Sequence, residues 1–288
     1  MIRLLYDRFK KEGGDGVDCI MLTLNAEKHL QETLDAFYKE VPIRKLLVID
    51  GGSIDATHDI LNMYPRHDNW IKPGMTTGKA WELLKNKVQT SWFIWIDVGK
   101  IPTEGWYDTM VQFKDQGTLL GSLRYNDIGG LDKTIADPSK RLLGGPWFIK
   151  TKSVGSYHVD DDYVQRNIDI IIRKQLEDAG GCYHLVASTY HTCFLPTPVT
   201  DKDILRQRHI QNAKGIVKYI TPSYAKEHAS YLLDDHWMLM MESLPRKWIQ
   251  ETNPAWIPIL KRWRAKRLLI AKLERFIYHK VLRGWKWS

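Results

Sequence analysis

Residues 17–55 constrain this chain more than any other stretch. An apolar run, Val17 to Leu24, breaks off at the polar cluster Asn25-Ala26-Glu27. A segment of helical period follows, with Leu30, Leu34 and Phe37 on one face. A second apolar run, Leu46 to Ile49, ends in Asp50-Gly51-Gly52-Ser53-Ile54-Asp55. Strand, helix, strand in this order predicts a unit of parallel sheet, whose ligands bind at the carboxyl ends of the strands. Thr23, Asn25, Glu27, Asp50, Gly52 and Ser53 then share one edge, a candidate nucleotide site.

The pattern continues downstream. Ala56 to Tyr64 reads as a helix with Asp55 as its N-cap, Trp70 to Lys72 as a short strand, and Thr77 to Val88 as a helix. Ser91 to Asp97 reads as a buried strand, and Pro102 to Phe113 as a helix opened by Pro-Thr-Glu. Thr118 to Tyr125 and Trp147 to Lys152 are strand candidates, separated by a turn-rich segment with the character of an active-site loop. Asp160 to Ala179 reads as a helix that opens on three acids and stops at Gly180-Gly181. A strand from Tyr183 to Tyr190 leads to His191. Beyond Pro196 and Pro198 the pattern turns helical, which sets a catalytic domain over 1–200 and a helical C-terminal region over 201–288.

Charge separates the same two parts. Residues 246–288 hold 12 Lys/Arg against 2 Asp/Glu, a net +10, while the rest hold 30 against 32, a net −2. Trp248, Trp256, Trp263, Trp285 and Trp287 also fall in this tail. From Ile259 to Leu282 the apolar residues recur at helical spacing, with Lys and Arg between them. A basic, Trp-bearing amphipathic helix suits an anionic membrane surface; the competing reading is a helix packed on the protein with a solvated basic face. Nucleic acid is an unfavoured partner, since no nucleic-acid module is recognisable. The three cysteines lack zinc spacing and are odd in number, which fits reduced thiols in a cytoplasmic setting. The N-terminus lacks the apolar core of a signal peptide, and no apolar run is long enough to span a bilayer. The expected location is cytoplasmic, peripheral on the inner face of the membrane.

Thr23-x-Asn25-x-Glu27 followed by Val48-Ile49-Asp50-Gly51-Gly52-Ser53-x-Asp55-x-Thr57 resembles the opening of the family 2 glycosyltransferases, which have the α/β fold called GT-A. The likeness runs on through Gly78-Lys79-Ala80 to the strand ending at Asp97 and weakens beyond it. The resemblance implies a Rossmann-like, mostly parallel sheet flanked by helices, and transfer of a sugar from a nucleotide-sugar donor to an acceptor. It implies that Thr23, Asn25, Glu27, Asp50, Gly52 and Ser53 hold the donor, with Lys79 and Asp97 toward the diphosphate. Members of the family carry Asp-x-Asp at the end of the Asp97 strand, where carboxylates hold a divalent cation, magnesium or manganese. This chain has Asp97-Val98-Gly99-Lys100, so Gly99 replaces the second acid. The resemblance then points to His191 as a second metal ligand, with His184 and His158 as weaker candidates, or to Lys100 as part of the positive charge.

Asp161 or Asp162, within Asp160-Asp161-Asp162, is the implied base of an inverting reaction. Asp169 with Arg173 fits another register of the family pattern, and Leu143-Gly144-Gly145 is similar to a loop of retaining enzymes, so stereochemistry stays open. The tail adds a membrane acceptor, such as a lipid-linked phosphate, to the expected partners. Two other readings compete. A nucleotidyltransferase would show a Gly-rich basic loop after the first strand, where this chain has Thr-Leu-Asn-Ala-Glu. A binding protein that kept the fold without the chemistry would suit the altered Asp97 motif.

Overall fold

The computed structural model describes residues 16–126, 130–131, 145–154, 168–193 and 202–277. The first strand, β1 (Val17–Thr23), is followed by α1 (Glu27–Glu40), β2 (Ile43–Asp50), α2 (Thr57–Asn62), β3 (His67–Ile71), α3 (Thr77–Lys85) and β4 (Trp92–Ile96). Both β1 and β2 are almost continuously apolar because helices and strands cover them; Cys19, Ile20, Met21, Leu46 and Val48 are buried. The helical stripe read from the sequence closes over this sheet, with Leu30, Leu34 and Phe37 at 0% exposure.

A short strand β5 (Lys100–Pro102) precedes α4 (Trp106–Gln112), then come β6 (Leu119–Asn126), β7 (Gly130–Leu131), β8 (Trp147–Lys150), α5 (Ile168–Asp178) and β9 (Tyr183–Cys193). The strand order is β3-β2-β1-β4-β8-β6-β9-β5, with β7 against β6. Strands β1 to β4 pair in parallel. Strand β8 runs against both β4 and β6, and β9 runs with β6. Six strands, β1, β2, β3, β4, β6 and β9, therefore point one way, and their carboxyl ends share an edge. The chain steps from β1 outward to β2 and β3, then returns to β4 on the other side of β1. In open α/β sheets such a reversal, here at the ends of β1 and β4, is where the ligand crevice forms.

The expected helix from Pro102 begins later. Residues 100–102 pair with Thr192 and its neighbours in β9, and Gly105, at φ +75°, turns the chain into α4. Thr-Glu-Gly after Pro102 therefore forms a turn, not a first helical turn. The strand expected over Trp147–Lys152 stops at Lys150, and a 3-10 turn covers Thr151–Val154. Gly180, at φ +81°, ends α5, and Gly181 N–H returns to the Leu176 carbonyl at 2.7 Å.

At the amino end of the sheet, the buried Asp18 departs from the apolar run. Its carboxylate receives two hydrogen bonds from Arg44, both 2.7 Å, and one from Gln89 N–H at 2.7 Å. The pair ties β1 to β2 at the end remote from the crevice.

The chain divides into two compact units, Met1–Asn212 and Ala213–Ser288, with the division inside α6 (Lys202–Tyr219). The second unit continues with α7 (Pro222–His228), a 3-10 turn at Ser230–Leu233, α8 (Asp235–Glu242), α9 (Arg246–Thr252) and α10 (Trp256–Ile277). Trp256 is its central side chain, at 0% exposure, with its indole N–H on the Ile220 carbonyl at 2.8 Å. Among the described residues no helix is long and apolar enough to cross a membrane.

Candidate donor site

Parallel register aligns Thr23 with Asp50 and Met21 with Ile96, so Asp97 emerges beside the end of β1. The loop after β2 is wound around Asp50, which is 1% exposed. Its Oδ1 accepts from Gly52 N–H at 3.0 Å, Ser53 N–H at 2.8 Å and the Ser53 hydroxyl at 2.8 Å. Asp50 Oδ2 makes no hydrogen bond among the described residues. Gly52 has φ +93°, and a Cβ there would lie 3.1 Å from Pro73 Cβ. This loop needs glycine for both conformation and space.

The loops after β1 and β2 are stitched together. Asn25, at φ +49°, donates its N–H to Ser53 Oγ at 2.8 Å, and its side-chain Oδ1 accepts from Ile54 N–H at 3.0 Å. Glu27 N–H donates to Asp55 Oδ2 at 3.1 Å, while Glu27 Oε2 accepts from Ala56 N–H at 3.0 Å. Asp55 Oδ1 also accepts from Thr57 N–H at 3.0 Å. Asp55 thus accepts from the first N–H of both helices, while Glu27, at the start of α1, reaches back to the turn before α2. These bonds lower the Asp55 pKa against the opposing effect of desolvation. Thr23 Oγ1 stays buried with no hydrogen-bond partner among the described residues, while Thr23 O accepts from Gly51 N–H at 2.8 Å. A buried orphan hydroxyl beside the open carboxylate oxygen of Asp50 is the feature of this edge that a ligand's polar groups would satisfy.

Asp97 lies across β1. The Trp95 indole N–H donates to Asp97 Oδ1 at 2.6 Å, and a Cβ on Gly145 would lie 2.9 Å from Asp97 Oδ2. Only glycine at 145 leaves that oxygen uncrowded. Desolvation raises the Asp97 pKa, and the Lys100 charge and the Trp95 donor act the other way. Gly99 holds φ +86° and donates its N–H to Thr33 Oγ1 at 2.9 Å. The turn is therefore built for glycine where a second acid was expected. Lys79 stands in the first turn of α3, whose Thr76 hydroxyl accepts from Lys79 N–H at 3.3 Å.

The sheet also carries His191 to this edge: it pairs with Pro102 in β5 and with Arg124 in β6 at the carboxyl end of β9. His184 sits instead near the amino ends of β9 and β6, opposite Leu120, with its ring stacked on Phe113 at 5.7 Å. Arg173 is 5% exposed, bonds Glu177 at 2.7 Å and lies over the Tyr183 ring. It is engaged between α5 and β9. Asp160, Asp161, Asp162, His158, Leu143 and Gly144 lie outside the described residues. Among the described residues no three His, Cys, Asp or Glu side chains converge on a metal position. The described donor set, one carboxylate beside a lysine, does not fit a resident metal ion by itself.

The sequence reading did not pick out Trp95, Thr33 or Asp18. For Trp95 the signal was present, since residues i and i+2 of a strand lie on one face.

Neither protein-family profiles nor curated sequences give a match to this chain. Solved structures do. The chain is similar to S. aureus TarS 1–349 in complex with UDP-GlcNAc, with TM-score 0.58 and 13% identity over 94% of this chain and 92% of that one. It is similar to a mannosyltransferase from Pyrobaculum calidifontis in complex with GDP-Man and Mn2+, with TM-score 0.55 and 13% identity over 99% and 90%. Glucosyl-3-phosphoglycerate synthase from Mycobacterium tuberculosis, with phosphoglyceric acid, gives 0.52 and 14% over 75% and 83%. The fold is GT-A. The expected architecture, a mostly one-directional sheet between helices, is the one observed.

Proposed function

We propose that the protein transfers a sugar, of the hexose type, from a nucleotide-sugar donor to an acceptor hydroxyl or phosphate. One observation carries this reading: the free Asp50 oxygen, the orphan Thr23 hydroxyl and Asp97 lie at the carboxyl ends of three neighbouring strands, β2, β1 and β4, where the chain reverses. The solved structures of the same fold, with UDP-GlcNAc in one and GDP-Man in another, support it. Asp50 would accept from the base or ribose, and Thr23 would satisfy its hydroxyl on the nucleoside. Asn25, Glu27 and Ser53 act through the loops they hold, while Gly52 lets the backbone approach.

Transfer leaves a diphosphate whose charge must be neutralised. Lys100 beside Asp97, and Lys79 at the start of α3, are cations suited to that end. A divalent cation, when bound, would supply Lewis-acid charge there, with Asp97 and His191 as the ligands this chain can offer and the donor's oxygens as the rest. Asp161 or Asp162 would take the acceptor proton if the anomeric centre inverts. A lipid-linked acceptor is the choice that the basic tail favours.

The test is thermal shift and donor turnover with UDP-, GDP- and dTDP-sugars, with and without manganese. One nucleotide should stabilise the protein and one sugar nucleotide should be consumed. Stabilisation without turnover for any donor would favour the binding-protein reading; pyrophosphate release from a nucleoside triphosphate would favour the nucleotidyltransferase. Manganese titrated alone should give no saturable heat, since one carboxylate makes a weak site. Tight binding in the absence of nucleotide would show a resident metal site.

A further inference from the structure

Helix α10 has two halves with different surroundings. Its first turns belong to the core of the second unit: Trp256 and Leu260 are buried, and the Trp263 indole donates to Asp235 Oδ1 at 2.6 Å. After Trp263 the contacts thin to Arg264 on Glu242 at 3.3 Å and Arg267 over the Trp263 ring. Beyond them every side chain with a described environment, to Glu274, is exposed. Leu268, Leu269, Ile270 and Leu273 are 58%, 59%, 43% and 51% exposed. Scattered apolar residues on a surface are ordinary, and Leu268 stands alone on the far side of the helix, but Leu269, Ile270 and Leu273 fall on one face and form a patch.

The patch has direction. Leu269, Ile270 and Leu273 stand three and four residues apart and share a face. Arg264 stands on the opposite side, Lys261, Arg267 and Lys272 stand at the two flanks, and Arg262 and Lys266 continue the line of the apolar stripe toward the start of the helix. Residues 261–274 carry six Lys/Arg and one acid, Glu274. This charge narrows the occupant. A second copy would set two strongly cationic helices against each other. Nucleic acid would meet the cations and leave the aliphatic groups in water. An anionic bilayer takes both, with acyl chains receiving the leucines and headgroups receiving the lysines and arginines.

We propose that the half of α10 beyond Trp263 docks the protein on anionic lipid membranes, while the half up to Trp263 is part of the fold. The inference stands on the surface of this helix and not on sugar-transfer chemistry, so either can fail without the other.

Cosedimentation of the full-length protein with phosphatidylcholine vesicles, with and without phosphatidylglycerol, at low and high salt, tests it. The protein should pellet with the anionic vesicles. Lys261→Glu with Lys272→Glu should weaken low-salt partitioning at least about 25-fold, at about fivefold for each cation removed. Leu269→Asp with Leu273→Asp should abolish the binding that survives high salt. Both variants alter exposed positions, and unchanged circular dichroism and melting would show that they fold. Full-length protein left in the supernatant with anionic vesicles at low salt would overturn the inference. So would undiminished pelleting of the Leu269→Asp, Leu273→Asp variant. Light scattering that shows a dimer converted to monomer by the same variant would assign the face to a second copy instead.

Discussion

Asp50 divides its two oxygens between structure and ligand. Because Oδ1 holds three donors of its own turn, Asp50→Ala would disorganise the loop as well as remove a contact. Asp50→Asn separates the two effects, since an amide oxygen can keep the turn while the other position no longer accepts. Isothermal titration should show nucleotide affinity down about 10- to 100-fold in Asp50→Asn, the worth of a hydrogen bond to a charged group, with little change in melting. Equal affinity in the folded variant would remove Asp50 from the donor site. Asp97 presents the opposite balance. Its folded pKa is raised by desolvation above the ordinary 3.8, so the folded state resists its ionisation. Stability from this group is greatest below the ordinary pKa and falls as pH rises through the window up to the raised folded value. Asp97→Asn should therefore be more stable than the parent at neutral pH, with the advantage gone in acid, while donor turnover falls. Urea melts across that pH range are the check, and a neutral-pH loss of stability would contradict the assignment.

The paired loops after β1 and β2 act as one element. Asp55 serves the N-termini of both α1 and α2, through Glu27 N–H and Thr57 N–H. Asp55→Ala should cost about 1–2 kcal/mol, since a lost helix cap costs about 1 kcal/mol and two N–H groups are affected. Nucleotide affinity should fall with it, because the bond to Glu27 N–H ties together the two loops that carry Asn25 and Ser53. Chemical denaturation combined with titration would reveal this coupling, and a stability loss with unchanged affinity would show that the loops act separately. A capping role for Asp55 before α2 was readable from the sequence, although Ala56 takes the expected N-cap position and Asp55 stands one residue ahead of it, accepting from Thr57 N–H. The reciprocal cap on α1 was not, because it joins residues 28 apart that meet only when β1 and β2 pair.

Across the whole chain, the described residues of the basic tail divide into a buried part and an exposed part. Read as a sequence, residues 246–288 look like one appendage. In the structure Ile249, Trp256 and Leu260 are buried in the second unit, and Asn253 Nδ2 donates to the Val217 carbonyl at 2.9 Å. Truncation after Leu244 should unfold that unit, since removing a buried Trp side chain alone costs about 3–5 kcal/mol. Truncation after Arg267 should leave its melting nearly unchanged. Differential scanning calorimetry of the two truncations distinguishes these outcomes, and a stable protein ending at Leu244 would restore the single-appendage reading.

Residues 17–97 carried their own structure because period, polarity and turn chemistry agree there: apolar runs long enough for strands, a Leu30-Leu34-Phe37 stripe, and Gly51-Gly52 after Asp50. Such signals are local, and a crossover helix between two apolar runs leaves few arrangements open. Chain reversal at β4, the return of β9 beside β5, and the capture of Trp256 by Ile220 depend on residues far apart in sequence. The same holds for Gly145 against Asp97 and for Thr33 beneath Gly99. No local pattern encodes them, because each contact forms only after the sheet has set the distance between its partners. The sequence alone determined the identity of the strands and the chemistry gathered at their ends. The tertiary structure decided which of those groups remain open to a ligand and which are occupied in holding the loops, since a hydrogen bond accepted within the fold leaves that oxygen unavailable to a substrate.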